Sequence, residues 1–292
     1  MFSGTYTALV TPFRNDQVDE AAFEALIEGQ IAAGIDGIVP VGTTGESPTL
    51  DHEEHRRVIR RAVEIAKGRC QVIGGTGSNS TAEAVSMTAE AEQDGADAVL
   101  LVAPYYNKPS QEGLYRHFAK LASSTKLPIM LYSIPGRCGV EIAVETVQRL
   151  AKDFPTIVAL KEAGGTVERI GALRQALPDS FDLLSGDDSL TLPFIAAGAR
   201  GVVSVASNVI PKEVGDLVRS ALAGNAAEAL QQHERLYPLF KDLFIEPNPV
   251  PAKYTLSLLG RMTPDVRLPL CEMGEASKAK LTATLRKLAI IS

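Results

Sequence analysis

Short, continuously apolar segments alternate with longer amphipathic segments along most of the chain. Strands that are buried on both faces of a parallel sheet show such continuous runs, whereas half-exposed strands alternate. The segments between them are amphipathic, and several begin after Ser, Thr or Asp and end at Gly, the usual cap residues. The pattern therefore predicts eight strand–helix units, whose apolar runs start at Thr5, Asp36, Cys70, Asp97, Leu127, Thr156, Phe181 and Gly201.

Successive strand starts lie about 20 to 34 residues apart, a normal length for one βα unit. Eight such units predict an α/β fold, a closed (β/α)8 TIM barrel over residues 1–210. The alternative is a doubly wound open sheet, which usually has fewer units and a GxGxxG sequence after its first strand. After residue 210 only helices are predicted, so residues 211–292 are interpreted as a C-terminal helical region, a candidate element for oligomerisation.

Composition excludes several classes of protein. The 292 residues are 45% hydrophobic and 22% charged, as in ordinary globular proteins. A formal net charge of −6 disfavours a general nucleic-acid binder. No apolar run approaches the ~20 residues of a membrane span, and the N-terminus lacks the basic start of a signal peptide. Three scattered cysteines and no metal-ligand spacing favour a cytoplasmic protein with reduced thiols and no metal site.

Lys161 ends the sixth apolar run, TIVALK, and so lies where barrel enzymes place their chemistry. Burial at the mouth of an apolar barrel lowers the pKa of a lysine. A neutral amine there is a nucleophile suited to forming an imine with a carbonyl substrate. The alternative is a lysine that pairs with Glu162 or extends to solvent.

Other strand ends carry groups that would complement such an amine. Tyr132 and Tyr106 follow neighbouring strands, and with Thr43 they could pass protons to and from an imine carbon; alternatively the rings only fill core volume. The Gly-Thr-Thr-Gly turn at 42–45 offers backbone N–H groups and hydroxyls to a carboxylate. Arg137 could grip a second carboxylate or form a surface ion pair.

Six motifs together resemble the family of 4-hydroxy-tetrahydrodipicolinate synthase, also called dihydrodipicolinate synthase. Single motifs are shared with the wider pyruvate-dependent aldolase superfamily, which includes N-acetylneuraminate lyase. The resemblance extends over essentially the whole chain and keeps the motifs in order. They are GTTGE at 42–46, PYYNKPSQEGLY at 104–115, YSIPGR at 132–137, LKEA at 160–163, SGDD at 185–188 and EPNPVP at 246–251.

The resemblance implies a lyase that condenses pyruvate with L-aspartate 4-semialdehyde, in the diaminopimelate route to lysine, without metal or organic cofactor. Lys161 would form the imine with pyruvate, and Thr43, Tyr106 and Tyr132 would be the proton relay. In the family the residue matching Tyr106 reaches across a dimer interface into the partner's site. The resemblance therefore also implies a homo-oligomer, a tetramer built as a dimer of dimers.

Substrate contacts follow from the same resemblance. Thr44 would hold the carboxylate of pyruvate, with Val203 and Gly186 lining the site, and Arg137 would grip the carboxylate of the semialdehyde. The lyase relative handles a sugar acid and typically has no arginine at this position. Two other functions stay open: an aldolase or lyase for a 2-keto-3-deoxy sugar acid, and a barrel that has lost catalysis and senses a small molecule.

Inhibition by L-lysine is the last expectation from the resemblance. His52 and His55 share a helix face by spacing and would otherwise be interpreted as surface residues. Pro48, Ser133 and Cys138 depart from residues common in the family, and none of the three has a named chemical role. Members that are inhibited bind lysine through residues matching Ser47, His52, His55, Asn79, Glu83 and Tyr105.

Overall fold

A computed structural model describes all 292 residues, and its centre is a closed barrel of eight parallel strands. Going round the barrel, the strand order is β1-β10-β9-β8-β7-β6-β5-β4. The predicted (β/α)8 fold is confirmed, and every apolar run forms one barrel strand. The strands are β1 (Gly4–Ala8), β2 (Phe13–Arg14), β3 (Gln17–Val18), β4 (Gly37–Val39), β5 (Gln71–Gly75), β6 (Ala98–Val102), β7 (Ile129–Ser133), β8 (Ile157–Glu162), β9 (Asp182–Ser185) and β10 (Gly201–Ser204).

Helices surround the barrel and follow the predicted amphipathic segments. The helix α2 begins at a capping box, in which Asp51 and Glu54 each accept a hydrogen bond from the other's backbone N–H. Two short elements were not predicted, the antiparallel hairpin of β2 and β3 and the four-residue helix α5. The helices are α1 (Glu20–Ala32), α2 (His52–Ala66), α3 (Thr81–Gln93), α4 (Gln111–Ala122), α5 (Pro135–Cys138), α6 (Val144–Asp153), α7 (Val167–Ala176), α8 (Thr191–Ala196), α9 (Pro211–Leu222), α10 (Ala226–Asp242), α11 (Val250–Leu258) and α12 (Glu275–Lys287).

The C-terminal part of the chain is helical, as expected. The helix α9 follows the last barrel strand and packs against β1, while α10 packs against both α9 and α12. One hydrophobic core runs continuously from Leu9 on the barrel to Leu285 on α12. The division of the chain at residue 210 stays a prediction. No helix has both the length and the apolar character needed to cross a membrane.

A separate, smaller core fills the barrel itself and positions the site. At one end Phe2 and Tyr6 pack edge to face, with ring centroids 5.9 Å apart. The N-terminal ammonium pairs with the buried Asp182 there, at 2.7 Å. The same inner core includes Tyr132 and Val203, near the carboxyl ends of their strands. Parallel barrels hold their chemistry at those ends, so polar groups that follow the strands meet above an apolar floor.

Candidate active site

Lys161 is the next-to-last residue of β8 and pairs in register with Tyr132 on β7. Its Nζ lies 4.0 Å from the centroid of the Tyr132 ring, and the residue is only 6% exposed. The alternative pairing with Glu162 is wrong. Successive strand residues point to opposite faces, and the carboxylate of Glu162 instead pairs with Nε of Arg169 at 2.8 Å. The Lys161 amine therefore has no salt bridge.

Burial determines the charge of this amine. Desolvation lowers the pKa of Lys161 to about 7, an effect that the nearby charge of Asp188 opposes and that of Arg137 reinforces. Asp188 gives limited compensation because other groups occupy its carboxylate: the Ser204 hydroxyl donates to it at 2.5 Å, and two backbone amides donate at 3.0 Å. A substantial fraction of the Lys161 side chain is thus neutral at neutral pH, as imine formation requires.

Tyr132 lies beside the amine, and Thr43 hydrogen-bonds to the Tyr132 hydroxyl. Burial raises the pKa of Tyr132 to about 12, and a hydrogen bond with Thr43 acts in the opposite direction. The phenol is therefore protonated at neutral pH and can donate a proton. Both side chains, together with Arg137, line a cavity of about 210 Å³ at the mouth of the barrel.

Arg137 and Thr44 are joined by a residue from the far end of the sequence. Arg137 lies on α5, and its Nη2 donates to the backbone carbonyl of Asn248 at 3.3 Å. The side-chain amide of Asn248 donates to the Thr44 hydroxyl at 3.0 Å. Asn248 belongs to the EPNPVP motif, yet no role was predicted for it, since nothing in the spacing of residues connects position 248 to the 42–45 turn.

Gly186 lies close to Lys161, whereas Val203 lies two strands away from it in the barrel. Val203 is buried in the inner core on β10. Gly186 follows β9, and a Cβ atom there would lie 3.1 Å from Cε of Lys161 and 2.8 Å from Cβ of Ala163. The absence of a side chain at Gly186 therefore leaves room for the side chain of Lys161.

Tyr106 is the one predicted relay residue that the single chain does not bring to the cavity. Its side chain is 90% exposed, whereas Tyr132 is 4% exposed. Its φ of 71° is in the left-handed region, which is rare for an aromatic residue. The cavity that Thr43, Tyr132 and Arg137 line includes neither Tyr106 nor Lys161, but Lys161 lies directly against the ring of Tyr132.

The group of residues expected to bind lysine contains a contacting pair, Glu83 and His52. Nε2 of His52 lies 2.7 Å from Oε1 of Glu83, and the Ser78 hydroxyl donates to the other oxygen. His55 is buried and its Nε2 contacts the carbonyl of Gly75 at 2.9 Å, so the alternative interpretation as a surface residue is wrong for His55. Spacing alone could not separate the two histidines, although only His55 shares the inward face of α2.

The remaining members of this group border the active-site cavity. Asn79 donates from its side-chain amide to the carbonyl of Tyr105 at 3.1 Å. Ser47 and Tyr105 line the same cavity as Thr43, and so does Pro48. The two predicted sites are therefore neighbours. No group of three or more His, Cys, Asp or Glu side chains is placed to hold a metal ion, and the expectation of no cofactor stays a prediction.

Comparison with known proteins assigns the family. The sequence model of the dihydrodipicolinate synthetase family matches residues 1–288. The chain belongs to this family. It is 50% identical over 291 residues to the 4-hydroxy-tetrahydrodipicolinate synthase of Endomicrobium trichonymphae, with 100% of each chain covered.

Solved structures of dihydrodipicolinate synthases have the same fold. The enzyme of the methanotroph Methylacidiphilum fumariolicum SolV is 56% identical, with a TM-score of 0.98 over 99% of this chain and 96% of that one. A lysine-bound structure from Cyanidioschyzon merolae is 42% identical, with a TM-score of 0.97 and 99% of each chain covered. A chloride-inhibited Acinetobacter baumannii enzyme in complex with pyruvate is 41% identical, with a TM-score of 0.97 over both whole chains.

Proposed function

We propose that this protein condenses pyruvate with L-aspartate 4-semialdehyde to give 4-hydroxy-tetrahydrodipicolinate, on the diaminopimelate route to lysine. The observation that carries the proposal is the buried, unpaired amine of Lys161 beside the ring of Tyr132. Family membership supports the same reaction, as does the pyruvate complex of the Acinetobacter baumannii relative.

The first half of the reaction joins pyruvate to the protein. The neutral amine of Lys161 attacks the ketone carbon, and the oxygen leaves as water after taking protons, one of them from the Tyr132 hydroxyl. Thr43 contacts that hydroxyl and relays a proton back to it, so that Tyr132 is protonated again. Thr44 and the backbone of its turn receive the carboxylate of pyruvate. The product of this half is an imine whose methyl group has become acidic.

Carbon–carbon bond formation follows in the second half. Loss of a methyl proton gives an enamine, whose carbon attacks the aldehyde carbon while the aldehyde oxygen takes a proton. The amino group of the semialdehyde then attacks the imine carbon, closes the ring and displaces the amine of Lys161. Arg137 binds the semialdehyde carboxylate, and its guanidinium group in the cavity favours this substrate over the uncharged end of a sugar acid.

Oligomerisation completes the proton relay in this proposal. Tyr106 extends into the partner's cavity, which accounts for a 90% exposed aromatic ring. The protein acts as a tetramer, a dimer of dimers, in the cytoplasm. Mixing Tyr106→Phe chains with Lys161→Ala chains tests the exchange, since a mixed dimer regains one site with both groups. Activity that stays absent after mixing and reassembly contradicts it.

L-Lysine inhibits the enzyme by binding near Glu83. The lysine-bound Cyanidioschyzon merolae relative supports this, and so does the contact of Glu83 with His52, which places a carboxylate where an ammonium group could pair with it. Calorimetry with millimolar lysine should show binding that Glu83→Gln weakens. No heat from the wild-type protein would exclude the site.

The condensation assay tests the proposed function directly. Turnover of pyruvate with L-aspartate 4-semialdehyde should be present in the wild type and absent in Lys161→Ala. Reduction of the protein–pyruvate mixture with cyanoborohydride should add one reduced pyruvate to Lys161, detected by mass spectrometry of peptides. A folded protein that takes up no pyruvate contradicts any imine mechanism, and cleavage of a sugar acid instead would identify a lyase.

A further inference from the structure

The turn that carries Thr43 and Thr44 is attached to the C-terminal helices by a buried ion pair that the reaction above does not use. The carboxylate of Glu46 contacts the ammonium of Lys253, with side-chain exposures of 1% and 0%. Lys253 lies on α11, more than 200 residues away in the chain. Because burying two charges costs desolvation energy, such a pair is weak evidence for a role in stability alone.

Glu46 is held in a conformation that an L-residue adopts only when its surroundings impose it. Its φ of 55° and ψ of 37° are left-handed. Its backbone amide donates to the carbonyl of Thr43 at 3.2 Å, which closes the turn. Its second carboxylate oxygen accepts from the backbone amide of Arg267 at 3.0 Å, so both oxygens are occupied. Fixing Glu46 therefore fixes the backbone of Thr43.

Lys253 is equally well fixed on the other side of the contact. Its ammonium donates to the carbonyl of Asp265 at 2.9 Å and lies 4.2 Å from the centroid of the Phe13 ring. Five residues earlier, Asn248 donates to the Thr44 hydroxyl at 3.0 Å. The start of α11 and the segment before it thus hold the turn by two contacts, the ion pair of Lys253 with Glu46 and the hydrogen bond from Asn248 to Thr44.

We propose that Glu46 and Lys253 are positioning residues for pyruvate: their ion pair holds the 43–44 turn in the geometry that receives the pyruvate carboxylate. The inference rests on the proposed function, because it assigns the pair to the first half of that reaction. The aldehyde half depends on Arg137, which lies on α5 and outside this turn. Loss of the pair should therefore impair the use of pyruvate more than the use of the aldehyde.

Three variants test this assignment. Glu46→Gln keeps the shape and removes the charge, Lys253→Met removes the ammonium, and the double variant leaves no buried charge unpaired. We expect each folded variant to raise the KM for pyruvate by roughly 10- to 100-fold, since small displacements of binding groups have effects of that size. The KM for the semialdehyde should change little. Pyruvate trapped on Lys161 by cyanoborohydride should fall in parallel at low pyruvate concentration.

Lys280→Met is the matched control. Its ammonium pairs with the buried Asp242 at 3.0 Å, between α12 and α10, and does not contact the turn. Because the Lys280 side chain is 63% exposed, this variant should change the melting temperature little and leave the KM for pyruvate unchanged. If a single variant at the 46–253 pair does not fold, the double variant takes its place.

The outcomes separate the two proposals. A folded variant of the pair with the wild-type KM for pyruvate would overturn the positioning role, and so would an equal rise in both KM values. A wild-type protein that traps no pyruvate would instead refute the proposed function, whatever the variants do.

Discussion

Imine formation at Lys161 should follow the titration of its amine, with a midpoint near pH 7. The pKa falls from the ordinary 10.5 to about 7 because the side chain is buried in the barrel. With that value, about nine-tenths of the amine is neutral at pH 8, whereas an exposed lysine is less than about 1% neutral there. Only the neutral amine attacks the ketone, so the rate should rise from pH 5.5 to 8 and then level off.

The same shift has a cost in stability, and its sign can be worked out. Between pH 7 and 10.5 the unfolded lysine binds a proton that the folded one does not, so stability rises with pH across this window. Below pH 7 the penalty is fully present, at roughly 5 kcal/mol if the whole shift is counted, which makes this an upper bound. Lys161→Met should therefore raise the melting temperature at pH 6.5 while abolishing imine formation.

The assay is single-turnover trapping of pyruvate with cyanoborohydride, read by mass spectrometry at a fixed pyruvate concentration. An exposed lysine on the same protein is the internal reference, because its labelling should climb steadily to pH 10. A trapping rate at Lys161 that also climbs to pH 10 would refute the lowered pKa. A lower melting temperature for Lys161→Met at pH 6.5 would refute the stability cost.

Three further substitutions have expected outcomes. Thr43→Val removes the hydroxyl that contacts Tyr132, and steady-state assays should show turnover lowered roughly 10²- to 10⁴-fold with little change in thermal stability. Arg137→Gln should weaken binding of the semialdehyde by about 2–5 kcal/mol, which would be measured as a raised KM. The same variant should move the midpoint of pyruvate trapping at Lys161 to higher pH, because the positive charge that lowers the lysine pKa is lost. Gly186→Ala would place a Cβ 3.1 Å from Cε of Lys161, so trapping of pyruvate should slow. An unchanged trapping rate would show that the backbone after β9 shifts to make room for the methyl group.

The fold was largely readable from sequence because strands buried on both faces leave a strong signal. All eight barrel strands were found from their apolar runs, and strand ends then indicated which residues share the mouth of the barrel. The short helix α5 was missed, since its four residues, Pro-Gly-Arg-Cys, are too few to show a period. That helix nevertheless decides where Arg137 points.

Contacts between distant parts of the chain were the information that sequence could not supply. Local spacing placed Lys161 and Tyr132, which pair across neighbouring strands. It gave no sign that Asn248 would contact Thr44, because no periodicity connects a turn after β4 to the segment before α11. Spacing also gave no sign that His55 is buried, with its ring nitrogen in contact with a backbone carbonyl.

Two buried lysines, Lys161 and Lys253, differ in whether a carboxylate pairs with the amine. Lys253 has a carboxylate partner, Glu46, which opposes the lowering of the lysine pKa by burial. Lys161 is given none, because the nearby Asp188 already accepts from the Ser204 hydroxyl and two backbone amides, and its pKa falls to about 7. The ion pair holds the Lys253 ammonium in place, whereas the Lys161 amine has no carboxylate partner and can act as a nucleophile. A carboxylate introduced beside Lys161 should thus raise the pKa of its amine, and trapping of pyruvate at neutral pH should slow.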